Sequence, residues 1–136
     1  MKGRRPHRVY LAPVTVELLR ALDSHTRSSP WVFPHPTRND KPASENAVLF
    51  ALAAIGYKDR HTGHGFRSMF STLANEAGLF RPDVIEAALA HKETDDVRAA
   101  YNGAAYLAER QQLAHWYADE LARLEGGTPA KIVSIR

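Results

Sequence analysis

Phe66, Met69, Phe70, Leu73, Ala74 and Ala77 recur at i, i+3, i+4, i+7, i+8 and i+11, and Gly78 follows them. Only an α-helix puts residues at that spacing on one side, so the stretch predicts an amphipathic helix that needs a partner to cover its apolar stripe. Other segments offer such partners. Val48, Leu49, Leu52 and Ile55 repeat at helical spacing behind Ser44 as cap and stop at Gly56. Pro82 suits the first turn of a helix running to about Ala90 that would bury Ile85, Ala88 and Leu89. Leu113, Trp116, Tyr117, Leu121 and Leu124 mark a long helix from about Ala105 to Leu124, ended by Gly126-Gly127. A helix over Thr15–Ser24, capped by Thr15, presents Leu18, Leu19 and Leu22, and a short one opens at Thr94 with Asp95 and Asp96 in its first turn. Val97, Ala100 and Tyr101 share a face of that short helix.

The chain is therefore expected to be mainly α, with one small β element at its N-terminus. The stretch MKGRRPHRVYLAP reads as the second half of a β-hairpin, Lys2 and Gly3 near the turn and Arg8 to Leu11 extended. A first strand is missing from it, and an unpaired strand leaves a bare edge, so a larger parent protein is expected. Ser28 to Pro42 carries four prolines and reads as an irregular crossing. With 136 residues the expected division is one domain over residues 1–125 and a flexible tail over 126–136.

Composition removes several function classes. There is no cysteine, which excludes disulfide scaffolds, thiolate zinc sites and cysteine nucleophiles together and suits a reducing cytoplasmic setting. No apolar run approaches the roughly 20 residues that span a bilayer, so no membrane partner is expected. The net charge of +3 is unevenly spread. Met1 to Arg67 holds 11 Lys and Arg against 5 Asp and Glu, whereas the remainder holds 7 against 10. A basic first half is the footprint of a phosphate-backbone binder, although the same count suits an ordinary solubilising surface.

Five residues lie at helix ends or edges: Lys2, His64, Arg67, His91 and Tyr101. Each has a bland role open to it. Arg67 borders the apolar ridge and could flank it with its stem, His64 could cap a helix, and His91 could be a cation at a helix C-terminus. Tyr101 could pack with its hydroxyl wet, and Lys2 alone is surface charge.

Taken together, HGFR (His64 to Arg67), LAHK (Leu89 to Lys92) and AAYN (Ala99 to Asn102) resemble the active-site pattern of tyrosine recombinases, the phage integrase family. MKGRRPHRVYL, RPDVIEAALAHK and VRAAYNGAAYLAERQQLAHWYADEL extend the resemblance over nearly the whole chain and toward the P4-like prophage integrase group. His91 to Tyr101 is one residue longer than in the best-known members, which suits that group.

The resemblance implies the recombinase catalytic-domain fold and site-specific DNA breaking and rejoining on double-stranded DNA, with no cofactor and no metal. Attack on a phosphodiester builds negative charge on its non-bridging oxygens, which fixed cationic donors stabilise. Arg67 would supply a planar fork there that lysine cannot reproduce. His64 and His91 would hydrogen-bond the same phosphate or exchange a proton. Tyr101 would be the nucleophile, its phosphotyrosine link keeping the bond energy for rejoining. Lys2 maps onto the family's general acid for the leaving 5′ oxygen, and Arg4, Arg5 and Arg8 would meet phosphates.

A further family arginine falls upstream of the hairpin, in a helix this chain does not contain, so the chain is expected to be catalytically incomplete, a truncated or remnant piece. Two other readings stay open. A non-catalytic helical DNA-binding module would use the same basic residues while Tyr101 merely packs. A metal site at His61, His64 and His91 lacks the Cys or carboxylate ligands that zinc centres usually add. The apolar face of the last helix either docks on the chain's own core or pairs copies into a homo-oligomer.

Overall fold

The computed structural model describes residues 7–90 and 106–126 of the chain. They form five helices and a two-stranded antiparallel sheet: α1 (Pro13–Thr26), β1 (Pro34–His35), β2 (Arg38–Pro42), α2 (Ala47–Ala54), α3 (Gly63–Ala77), α4 (Pro82–Ala88) and α5 (Leu107–Glu125). The mainly helical expectation holds, with the β element in a different place.

The core is built where α3, α4 and α5 meet. Ala74 of α3, Val84 and Ile85 of α4, Leu89 just beyond α4, and Leu113 of α5 form one buried cluster, with Phe70, Phe80, Ala88, Tyr106 and Trp116 packed against it. Ile85 and Leu113 are fully buried, and each contributes about 1.5–3 kcal/mol by leaving water. The aromatic edges interlock: Phe70 meets Tyr117 edge-on at 4.8 Å and Phe80 lies 5.6 Å from Trp116. The last helix therefore docks on the chain's own core through Leu113 and Trp116, while Leu121 and Leu124 remain exposed.

Local signals set the ends of α3 and α4. Thr62 caps α3, its side chain accepting from the Gly65 amide at 3.0 Å. Gly78 closes α3 at φ +65°, a left-handed conformation that costs glycine little. Pro82 opens α4 where its missing amide hydrogen is no loss, and Asp83 in the first turn suits the helix dipole.

The expectations for the first half need correction. Arg8 to Leu11 carries no strand, because among the described residues no second backbone pairs with it. The hairpin lies instead within the proline-rich crossing, β1 pairing antiparallel with β2 from Pro34 opposite Pro42 to His35 opposite Arg38, with a bulge between. Prolines sit at the strand ends, where a missing donor harms no central ladder. Side chains upstream complete the pairing: Ser29 Oγ donates to the Asn39 carbonyl at 2.7 Å and Trp31 Nε1 to the Asp40 carbonyl at 3.3 Å.

Neither expected cap in this half is used. α1 begins at Pro13 with Ala12 as N-cap, so Thr15 lies inside the helix, because the proline supplies the first-turn geometry two residues earlier. α2 begins at Ala47 behind Asn46, and Ser44 contributes its carbonyl to the Ala47 amide at 3.0 Å rather than a capping side chain. Of the α2 stripe, only Leu52 is buried, while Val48, Leu49 and Ile55 are exposed. The short helix expected at Thr94 lies outside the described residues, as does the tail beyond Gly126.

Candidate functional site

The first turn of α3 carries the HGFR segment. His64 and Arg67 are one turn apart, a spacing that places neighbours on the same helix surface. His64 is exposed and Arg67 half-buried. The intervening glycine has a steric reason. A Cβ at Gly65 would sit 2.8 Å from His61 Cε1, and the His61 ring is itself seated edge-on against Phe66 at 4.3 Å. His61 Nε2 is buried without a hydrogen-bond partner.

Arg67 reaches across to α4. Its Nη2 donates to the carbonyl of Leu89, the C-cap residue of that helix. The next residue, Ala90, has φ +53°, a left-handed turn costing a non-glycine residue roughly 1–2 kcal/mol. This brings Arg67 to the point where the chain leaves α4, immediately before His91. His91 and Tyr101 lie outside the described residues, as do Lys2, Arg4 and Arg5.

An open cavity of about 480 Å³ lies beside Arg67, walled by Phe66 and Phe70 of α3, Ala88 and Leu89 at the end of α4, Leu113 and Ala114 of α5, and Val9 and Tyr10 of the leading segment. Arg110 of α5 also lines it. Only 7% exposed, Arg110 is the buried charged residue of the described chain, and its Nη2 donates to the Arg8 carbonyl. Burial pushes its guanidinium below the ordinary arginine range. Sequence reasoning passed over Arg110, because a charged residue on a helix normally faces water.

Further bonds tie the leading segment to α5. Tyr10 Oη lies 3.0 Å from His115 Nε2, and Gln111 Nε2 donates to Tyr10 Oη at 3.2 Å. Arg8 thus gives its backbone to the fold and keeps its side chain exposed.

Tyr106, the tyrosine nearest to Tyr101 in the sequence, is committed elsewhere. It is the N-cap of α5 at φ +67°, packs on the core, and accepts a hydrogen bond from Arg81 Nη2 at 3.2 Å. Arg81 also stacks over its ring at 5.0 Å and pairs with Asp83. The Arg81 hydrogen bond holds the Asp83 carboxyl below the usual carboxylate range. Among the described residues no three His, Asp or Glu side chains gather as a metal cluster, and no helix is long and apolar enough to cross a membrane.

The relatives that match are integrases. The chain is 48% identical over 128 residues to prophage integrase IntZ of Escherichia coli strain K12, a match covering 93% of this chain and 31% of the relative. It is 43% identical over 122 residues to the integrase of Shigella phage Sf6, covering 89% and 31%, and 39% identical over 124 residues to the integrase of enterobacteria phage P4, covering 89% and 28%. The chain is a homologue of the P4-like integrases. It spans about a third of the length of these integrases. No family model matches the chain, and no solved structure does.

Proposed function

We propose that this integrase homologue is part of a site-specific DNA recombinase that breaks and rejoins strands through a 3′-phosphotyrosine intermediate. The observation that carries the reading is the placement of Arg67 within a sequence that is 48% identical to an integrase over 93% of its length. Arg67 stands beside an open cavity and against the C-terminal end of α4, one turn from His64, and its partner Leu89 precedes His91 by two residues in the sequence. A phosphodiester seated there would meet a guanidinium held by its neighbours before the reaction starts, which is what transition-state stabilisation requires.

In this reading Tyr101 Oη bonds to phosphorus, the bond from phosphorus to the 5′ oxygen breaks, and the tyrosine proton passes to a histidine, His64 or His91. Lys2 gives a proton to the departing 5′ oxygen. Arg67 balances the charge that grows on the non-bridging oxygens, while Arg4, Arg5 and Arg8 meet flanking phosphates. Rejoining is the reverse attack by a 5′ hydroxyl, so no external energy source is consumed. No metal or other cofactor enters these steps. Tyr106 is poorly suited to replace Tyr101, because its hydroxyl already accepts from Arg81 and its ring packs on the core.

The resemblance places a further arginine upstream of these residues, and the partner is double-stranded DNA. The test is a nicked suicide substrate, from which the strand beyond the cut diffuses away, presented to a protein extended upstream through the helix bearing that arginine. A covalent protein–DNA adduct is expected, and Tyr101→Phe should abolish it while DNA binding persists. Binding without any adduct would favour a non-catalytic DNA-binding module.

A further inference from the structure

Arg110 is a mostly buried residue, and the described fold uses only part of its guanidinium. Among the described residues no carboxylate pairs with it, and its observed partner is one backbone carbonyl, that of Arg8. Its burial penalises the charged form, and one neutral acceptor offsets only part of that. A guanidinium has five donors in a fixed fork, so a single hydrogen bond uses only part of its capacity.

The cavity it lines has the complementary property. Among the described residues Arg67 and Arg110 are its charged lining, no Asp or Glu lines it, and the remaining walls are mostly aliphatic and aromatic. Two like charges sharing a low-dielectric wall raise the local positive potential, and an oxyanion between them would relieve both the repulsion and the burial cost. Planar forks from two helices can grip different oxygens of one tetrahedral group.

We propose that Arg110 is a second phosphate-binding residue, which together with Arg67 makes this cavity the seat of one DNA phosphodiester. The inference rests on the reading of Arg67 as a phosphate contact. It adds to the residues that the integrase resemblance supplies a contact from α5, downstream of the tyrosine. The bond from Arg110 to the Arg8 carbonyl gives the residue a second duty, since it fixes Val9 and Tyr10 as the cavity's rim.

The test uses the ¹⁵N-labelled chain, with dimethyl phosphate as a diester probe and inorganic phosphate as a free-anion probe. Binding is followed through the arginine Nε–Hε resonances. The diester should shift the Arg67 and Arg110 signals together with one midpoint. Arg110→Lys, which keeps the charge and loses the fork, should weaken that midpoint, and Arg110→Ala should weaken it by about tenfold or more. Because Arg110→Ala also removes a fold contact, the wild-type shifts and Arg110→Lys carry the decision. A response from Arg67 without one from Arg110, or an unchanged midpoint in Arg110→Lys, would overturn the proposal. A response to inorganic phosphate alone would also overturn it, by showing a site for the free anion. Silence of both arginines alongside a Tyr101 adduct on the suicide substrate would sink this inference and leave the recombinase reading standing.

Discussion

Arg67 braces α3 against the end of α4 and is proposed to bind phosphate, and replacing it should separate the two roles. As a brace, it donates to the Leu89 carbonyl and ties α3 to the end of α4. Hydrogen bonds to charged groups contribute about 1.5–3 kcal/mol, and a half-buried residue beside an open cavity belongs at the low end. Arg67→Ala should therefore lower the unfolding free energy by about 1–2 kcal/mol, read from urea denaturation followed by circular dichroism. As a catalytic donor, it should count for more. Removal of one preorganised donor typically costs about 10² to 10³ in rate, or about 2.7–4 kcal/mol of transition-state stabilisation. Arg67→Lys keeps the charge but lacks the planar fork that grips two phosphate oxygens side by side, so its adduct rate should fall while most stability remains. The assay is single-turnover adduct formation on a suicide substrate by the upstream-extended protein, corrected for the folded fraction of each variant. If Arg67→Ala lost stability as expected and yet formed adduct within about threefold of the parent rate, Arg67 would be a brace alone.

Leu113→Ala should cost about 2–5 kcal/mol by denaturant titration, since the side chain is fully buried at the junction of three helices, and a loss below about 1 kcal/mol would contradict the described core. Gly65→Ala should destabilise by about 1–2 kcal/mol through its 2.8 Å approach to His61, despite the better helix propensity of alanine. Most of that loss should vanish in a His61→Ala background, and strict additivity in the double-mutant cycle would rule out the clash. DNA binding by the chain should be indifferent to sequence and weaken steeply with salt, because phosphate contacts release counterions; affinity flat across a salt titration would contradict the basic-footprint argument.

What could be read in advance was whatever local spacing controls. The α3 stripe, its Gly78 terminus, the Pro82 start of α4 and the Leu113–Trp116 face of α5 all follow from helical periodicity and end signals within one element. Periodicity identifies a face but not what covers it. The α2 stripe accordingly looked like core, although Val48, Leu49 and Ile55 are exposed. The hairpin over Pro34–Pro42 was missed because its prolines argue against a sheet, while the bonds from Ser29 and Trp31 to β2 carbonyls are invisible in a pattern of residue types.

The candidate site divides in the same way. His64 and Arg67 stood out as residues at the edge of a strong stripe, and α3 sets them one turn apart. Thr62, the cap that starts this turn, had a local signal in its spacing to Gly65. Arg110 had none, because its burial depends on the carbonyl of Arg8, 102 residues earlier. Lys2, His91 and Tyr101 remain assigned by resemblance, outside the described residues.

The proposal stands or falls on Tyr101 being the nucleophile. The most direct measurement traps the covalent adduct on a suicide substrate and maps the modified residue by mass spectrometry, for the 136-residue chain and for a protein extended upstream through the arginine-bearing helix. The account predicts an adduct on Tyr101 in the extended protein and a rate lower by about 10² or more in the chain alone. A modified Tyr106 would contradict the assignment of the nucleophile, and comparable rates from both proteins would contradict a catalytic role for the upstream arginine.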